Sequence, residues 1–135
     1  VATVDAAGKV TVKGPGVAKI TVKAAATTDY KAASKTVTVT VAPKKQGISL
    51  VNKIKKQLTI KWKKNTKASG YQVVYSTNKK FTGKKTVRKA KTTTSYKIKG
   101  LKKGKKYYVK VRSYKTVNGK RIYGAYSTVK KATIK

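Results

Sequence analysis

The sequence lacks several residue types on which most enzyme chemistry depends. Its 135 residues include no Cys, Met or His, and the only acidic side chains are those of Asp5 and Asp29. General acid–base pairs, thiol nucleophiles and metal sites are built from carboxylates, imidazoles and thiols, which this chain cannot supply in the usual numbers. We therefore expect a protein that is not an enzyme and that uses no metal or other cofactor.

The sequence also has no run of 18 apolar residues, so no membrane-spanning helix is predicted. Two segments match the Ser-x-x-Lys motif of penicillin-binding enzymes, one beginning at Ser76 and the other at Ser127. Such matches arise by chance in a lysine-rich chain, and the pattern around them does not indicate a helix. The two motifs are therefore not expected to be catalytic.

Positive charge is abundant and unevenly distributed. Lys and Arg number 36 against two acidic residues, which gives a formal net charge of +34. Residues 1–42 hold six lysines and both acids, so residues 43–135 contain the other 30 cations and no acid. This asymmetry favours two structural units, with a polyanion as the natural partner of the second.

The N-terminal unit is predicted to consist of short strands. Strands are expected over residues 1–4, 9–13, 17–24 and 35–41, with turns at residues 5–8, at Gly14-Pro15-Gly16 and around Asp29. The alternation of Val with Thr in residues 35–41 is typical of a strand with one apolar face. Residues 43–47 form a short linker.

The second unit is predicted to contain seven strands. They cover residues 48–51, 58–62, 71–75, 86–90, 95–99, 106–115 and 121–134, and Asn118-Gly119 is a hairpin-turn signal. Strand 86–90 is expected at a sheet edge because it carries Lys and Arg. In the strand that begins at residue 106, Tyr107, Val109 and Val111 are expected to face the core. The spacing of these strands predicts an all-β protein with an immunoglobulin-like β-sandwich.

Residues 44–135 resemble a fibronectin type III domain. Trp62 occupies the position of the family's core tryptophan, and Leu101 precedes Tyr107 by six residues as in the family's Leu-x5-Tyr pattern. The resemblance implies that Tyr107 packs in the sandwich while its hydroxyl caps a loop. Lys103 replaces the family's usual proline, and residues 115–121 read KTVNGKR, so the Arg-Gly-Asp activity of some members is not implied.

Residues 1–42 resemble the second half of a group 2 bacterial immunoglobulin-like domain. The segments VATVD, GKVTVKGPGVAKITV and KTVTVTV carry this resemblance. Because such domains are about twice as long, the chain is expected to be a fragment, or else its missing strands come from another molecule. The pairing of the two modules implies a secreted or surface-attached protein of Gram-positive bacteria.

The most specific binding hypothesis concerns the strand from residue 106 and the hairpin that follows it. Cations alternate there with tyrosines that are expected to face outward, a pattern that can hold phosphates or sulfates. The candidate polyanion-binding residues are Lys106, Tyr108, Lys110, Arg112, Tyr114, Lys115, Lys120 and Arg121. Lysines predicted to face outward on the opposite sheet, at positions 61, 63, 97 and 99, indicate that charge covers the whole domain.

Three functions are compatible with this sequence. The first is an extracellular, non-catalytic spacer or adhesion module whose cationic surface binds teichoic acid or sulfated glycans. The second is a subunit of a surface filament that assembles by strand complementation through the partial N-terminal domain. The third is a nucleic-acid-binding or membrane-active cationic protein.

Overall fold

Twelve β-strands make up the regular structure in the computed structural model, which describes residues 2–4, 10–24 and 33–135. In chain order the strands are β1 (Ala2–Val4), β2 (Val10–Val12), β3 (Gly16–Ala24), β4 (Ala33–Val41), β5 (Ile48–Val51), β6 (Gln57–Trp62), β7 (Gly70–Ser76), β8 (Lys85–Ala90), β9 (Ser95–Lys99), β10 (Lys106–Val117), β11 (Lys120–Tyr123) and β12 (Lys130–Thr133). No helix occurs in the described residues. The all-β prediction is confirmed.

The N-terminal strands form two separate antiparallel pairs, β1 with β2 and β3 with β4. The register of β3 and β4 sets Ile20 opposite Val37 and Ala18 opposite Val39, so the apolar residues share one face as predicted. Val37 nevertheless remains 42% exposed. The turns predicted at residues 5–8 and around Asp29 lie outside the described residues.

The second unit contains two sheets. β5, β6 and β9 form a three-stranded sheet, and β7, β8, β10, β11 and β12 form a five-stranded one. In the larger sheet β7 pairs with one edge of β10, while β12 and β11 pair with successive parts of its other edge. β8 pairs only with β7 among the described strands, which confirms its predicted position at an edge.

The core lies between these two sheets. Leu58 and Ile60 from β6 and Val109 and Val111 from β10 are completely buried, because alternate residues of each strand face the other sheet. The Trp62 ring packs against Tyr71 with a centroid separation of 5.4 Å. The core positions predicted for β10 are therefore confirmed, and Trp62 lies in the core as the family resemblance implied.

Leu101 and Tyr107 follow the predicted pattern only in part. Leu101 is buried in the core, and Tyr107 packs against that core while remaining partly accessible. The loop is held by main-chain bonds, in which Leu101 N donates to Lys56 O at 3.0 Å and Gly104 N donates to Ile134 O at 2.8 Å. Within the described chain, the Tyr107 hydroxyl makes no hydrogen bond that would cap the loop.

The last strand differs from the prediction, which treated residues 121–134 as continuous. The chain leaves the regular ladder between β11 and β12, although it still follows β10. Gly124 N donates to Ser113 O at 2.9 Å, and Ser127 N donates to Val111 O at 2.7 Å. A side chain at Gly124 would collide with the Pro43 carbonyl, so the close approach of residues 43–47 accounts for this glycine.

The turn between β10 and β11 agrees with its sequence signal. Asn118 and Gly119 both adopt positive φ, at 50° and 76°, as a type I′ hairpin turn requires. The two-residue turn fixes the register, so that Thr116 pairs with Arg121 and Tyr114 pairs with Tyr123. This register decides which hairpin side chains share a face.

Candidate polyanion-binding face

The residues of β10 that face away from the core form the centre of a cationic and aromatic surface. Val109, Val111 and Ser113 are buried, whereas the alternating Lys110 and Arg112 remain partly accessible on the other side of the strand. We call this side of the five-stranded sheet the outer face. On β10 it carries Lys106, Tyr108, Lys110, Arg112 and Tyr114.

The outer face brings together six of the eight predicted site residues. Arg121 joins the five residues of β10 because its partner Thr116 is on the same side of that strand as Tyr114. Lys115 and Lys120 pair with Ile122 and Val117, which places both lysines on the opposite face of the hairpin. The predicted residues therefore do not form one continuous group.

Aromatic rings hold the two central cations in place. The Lys110 ammonium lies 4.2 Å from the ring centroid of Phe81 and 4.2 Å from that of Tyr126. The Arg112 guanidinium lies 3.8 Å from the Tyr123 ring and 4.4 Å from the Tyr126 ring. Such cation–π contacts stabilise each cation by about 0.5–1 kcal/mol at exposed sites, and they leave its charge intact.

The same group of side chains extends along the hairpin. The Arg121 guanidinium lies 5.6 Å from the Tyr114 ring, and this ring packs edge-on against Tyr123 at 5.9 Å. Tyr114 also covers Gly70, where an added Cβ would lie 2.6 Å from the tyrosine hydroxyl. A Cβ there would also lie 2.7 Å from Lys89 O, so glycine at position 70 allows the close approach of both groups.

Gln72 on β7 anchors the centre of this surface. Its Oε1 accepts a hydrogen bond from Arg112 Nε at 2.6 Å and one from the Tyr126 hydroxyl at 3.3 Å. Gln72 is itself only 7% exposed, so it fixes both partners from beneath. Among the described residues, the bond from Nε to Gln72 is the only hydrogen bond of the Arg112 side chain. The two terminal amino groups of Arg112 therefore stay available.

Burial and neighbouring charges perturb one lysine of the outer face. Partial burial lowers the pKa of Lys110 from its ordinary value of 10.5, and the positive charges of Lys84 and Arg112 lower it further. Both neighbours therefore lie close enough to repel the Lys110 ammonium. An anion bound among these groups would relieve that repulsion.

Sequence reasoning missed several members of this surface. Arg88 on β8 lies opposite Gln72, and Lys131 on β12 lies opposite Tyr108, so both exposed cations share the outer face. Lys131 also lines an open depression of about 290 Å³ together with Lys79, Tyr108 and Val129. Strand periodicity could identify Arg88 and Lys131 once the pairing was known, but Tyr126 lies outside any regular strand.

The serines of the two Ser-x-x-Lys segments have structural partners. Ser76 Oγ donates to Thr82 O at 2.8 Å and accepts from Asn78 N at 3.0 Å. Ser127 Oγ accepts from the buried Val111 N at 3.0 Å. Neither segment lies on a helix, in line with the prediction that both matches arise by chance.

Two facing sheets that enclose one apolar core define the second unit as an immunoglobulin-like β-sandwich. The family model of the fibronectin type III domain matches residues 41–129, and the chain belongs to this family. Its members are typically extracellular structural or adhesion modules and are generally not catalytic.

Solved structures agree with this family assignment at low sequence identity. A two-domain fibronectin type III segment of chicken tenascin is 16% identical with a TM-score of 0.71, and the match covers 98% of this chain and 81% of that one. The FN1–FN3 domains of chicken CNTN1 are 19% identical with a TM-score of 0.59, and the match covers 76% of this chain. It covers only 37% of the CNTN1 chain.

The chain is also similar in structure to a single human fibronectin type III domain. The sixth fibronectin type III domain of human fibronectin type III domain containing protein 3 is 16% identical with a TM-score of 0.57. The match covers 71% of this chain and 88% of that domain. No curated protein is detectably similar in sequence. Among the described residues there is no helix that could cross a membrane.

Proposed function

We propose that the protein is a non-catalytic extracellular module, a spacer or adhesion domain, that binds polyanions through the outer face. The observation that carries this proposal is the alignment of Lys110, Arg112 and Arg121 on one side of a single sheet. Teichoic acid and sulfated glycans are the ligand classes that we propose, because both present repeated phosphate or sulfate groups. Lysine and arginine bind such groups through charge-assisted hydrogen bonds.

The origin of the module is part of the same proposal. The partial bacterial immunoglobulin-like pattern of residues 1–42 supports a secreted or surface-attached protein of Gram-positive bacteria. The membership of the second unit in a mostly extracellular family supports this localisation.

The occupied aromatic faces favour sulfated or phosphorylated polymers over single-stranded nucleic acids. Bases bind single-strand proteins by stacking on exposed aromatic rings. Here Tyr123 and Tyr126 already stack against Arg112, and Phe81 packs against Lys110. A base that stacked on the same side of one of these rings would have to displace the cation, and Tyr108 is the ring of the outer face that carries no such cation among the described residues.

Binding across a salt series tests the ligand class. Purified teichoic acid, heparin and a single-stranded oligonucleotide would each be titrated between about 50 and 300 mM salt. We expect saturable binding of teichoic acid or heparin that weakens steeply as salt rises, with the oligonucleotide bound more weakly at equal charge. Tighter binding of the oligonucleotide, or no binding of either polymer, would contradict the proposal.

Self-assembly remains a second candidate because of the β3–β4 pair. These two nine-residue strands pair only with each other among the described strands, and Val37 on their apolar face is 42% exposed. A strand from a second copy could extend such a pair. Sedimentation velocity over a concentration series decides this, since a monomer at all concentrations excludes the filament.

A further inference from the structure

A lysine-lined cleft lies apart from the outer face, where the N-terminal strands meet the sandwich. Its volume is about 490 Å³, within the range of about 300–1,000 Å³ that is usual for small-molecule sites. Residues from three parts of the chain line it: the end of β2 with the turn after it, the end of β4 with the linker that follows, and the loop after β6. We call it the junction cleft.

Six lysines line the junction cleft, and none of its lining residues is acidic. They are Lys13, Lys44, Lys45, Lys63, Lys64 and Lys67. All six are exposed to solvent. So many like charges around one concave site repel one another and focus a positive potential into it. A bound ligand with several negative charges would remove this repulsion.

Hydrogen bonds fix the walls of the junction cleft. Gln46, which is only 7% exposed, donates from Nε2 to Lys63 O at 2.8 Å and so joins the linker to the loop after β6. The Lys67 ammonium donates to Lys13 O at 2.8 Å and joins the same loop to the N-terminal unit. Because the segments are already held, less conformational entropy is lost when a ligand binds between them.

The loop after β6 is also rigid in itself. Asn65 Oδ1 accepts from Lys67 N at 3.1 Å, and Asn65 N is hydrogen-bonded to the Tyr71 hydroxyl at 2.6 Å. Tyr71 is completely buried in the core, so this bond anchors the loop to the sandwich. Lys63 and Lys64 therefore emerge from a backbone of defined position.

We propose that the junction cleft binds a compact ligand that carries two or more phosphate or sulfate groups. Lysine ammonium groups are compact point charges with three donors, and they suit the tetrahedral oxygens of either group without demanding one orientation. The volume admits a small molecule or the end of a polymer rather than a long stretch of chain. This proposal does not depend on polymer binding by the outer face.

Isothermal titration calorimetry at about 0.15 M salt, where charges beyond about 8 Å are screened, tests this site. The probes are inorganic tripolyphosphate and sucrose octasulfate, which separate a preference for phosphate from one for sulfate. We expect at least one of them to bind saturably with a stoichiometry of one. A failure of both to bind would overturn the proposal.

A pair of variants with equal net charge locates the binding. The cleft variant combines Lys45→Gln, Lys63→Gln and Lys64→Gln, which retain the Gln46 bond because the acceptor is a main-chain carbonyl. The control, called the β9 variant, combines Lys97→Gln, Lys99→Gln and Lys102→Gln, which are exposed on and beside the three-stranded sheet. We expect the cleft variant to weaken probe binding at least tenfold and the β9 variant less than twofold.

Amide chemical shifts of the unmodified protein give a readout that does not depend on variants. Tripolyphosphate or sucrose octasulfate is expected to shift the amide signals of Lys45, Lys64 and Thr66, which line the cleft. Shifts confined to the outer face, or equal losses of affinity in the two variants, would overturn the proposal. Polymer binding by the outer face is tested separately, through substitutions on that face, so a failure of the cleft proposal and a failure of the outer-face proposal can be told apart.

Discussion

Lys110 shows how a single side chain on the outer face is shaped by its surroundings. Its ammonium lies 4.2 Å from two different aromatic centroids, and it is only partly accessible. Burial is the largest cause of its lowered pKa, followed by the charges of Lys84 and Arg112. A neutral lysine would bind anions poorly, so the shift sets an upper pH for this part of the face.

The Lys84→Gln substitution is predicted to raise the pKa of Lys110. Removing a neighbouring positive charge favours the protonated form of a lysine, so the pKa moves up towards its ordinary value of 10.5. The pKa of Lys110 should recover only part of its shift, because desolvation of the Lys110 ammonium remains. Side-chain NMR titration of Lys110 measures this change, and Lys97→Gln on the opposite sheet serves as the control. An unchanged or lowered pKa in the Lys84 variant would contradict this description of the face.

The segment between β11 and β12 shows how a strand can be interrupted and still be held against its neighbour. Ser127 replaces a regular ladder there, since its main-chain N donates to Val111 O while its Oγ accepts from Val111 N. The interruption carries Tyr126 to the outer face, where it contacts both Lys110 and Arg112. The irregular segment is therefore part of the candidate site.

The Ser127→Ala substitution is predicted to destabilise the protein by about 1–3 kcal/mol, because it leaves the buried Val111 N without its partner. Ser49→Ala, at an exposed position of β5, is the matched control and should change the unfolding free energy by less than about 0.5 kcal/mol. Urea denaturation measures both values. Equal effects of the two substitutions would show that the Ser127 hydroxyl does not hold this segment.

Much of the strand pattern could be predicted from the sequence. In β6 and β10, apolar residues alternate with polar ones, and each apolar position faces the core as periodicity requires. The two-residue turn at Asn118 and Gly119 also determined the hairpin register. Counting outward from that turn pairs Thr116 with Arg121 and Lys115 with Ile122, so the separation of Arg121 from Lys115 could have been found.

Other features depend on contacts between distant parts of the chain. The need for glycine at position 124 follows from the close approach of Pro43, about 80 residues earlier, and no local pattern encodes it. The position of Lys131 beside β10, and that of Arg88 beyond β7, required the strand order of the sheet. The junction cleft required three separate segments to converge. Periodicity describes one strand at a time and cannot supply such information.

The whole molecule must fold despite its charge. Its 36 cations share an accessible surface of 9,303 Å², which is roughly 260 Å² for each cation. The mean spacing is therefore about 16 Å, or twice the Debye length of about 8 Å near 0.15 M salt. Screening at that ionic strength removes most of the repulsion, whereas a Debye length of about 30 Å at 0.01 M does not.

Thermal stability is therefore predicted to rise with salt. The melting temperature in about 10 mM salt should be lower than in about 300 mM salt, because unscreened repulsion destabilises the folded state. Circular dichroism or calorimetry measures this difference, and sodium chloride with a weakly interacting buffer avoids specific anion binding. A melting temperature that does not change with salt would contradict the prediction.

Heparin binding by two variants of equal net charge tests most directly whether polyanions bind the outer face or are attracted only by the net charge of the whole protein. The outer-face variant combines Arg88→Gln, Arg121→Gln and Lys131→Gln, three exposed cations of the outer face that lie on β8, β11 and β12. The β9 variant defined above removes the same charge from the other side of the sandwich.

At about 0.15 M salt, we expect the outer-face variant to bind heparin at least tenfold more weakly than the unmodified protein and the β9 variant to bind within about twofold of it. Each positive charge that contacts the polymer releases a counterion, so the outer-face variant should also show a shallower dependence of affinity on salt. Equal losses of affinity in both variants would show that binding follows net charge alone, and would contradict the assignment of a binding face.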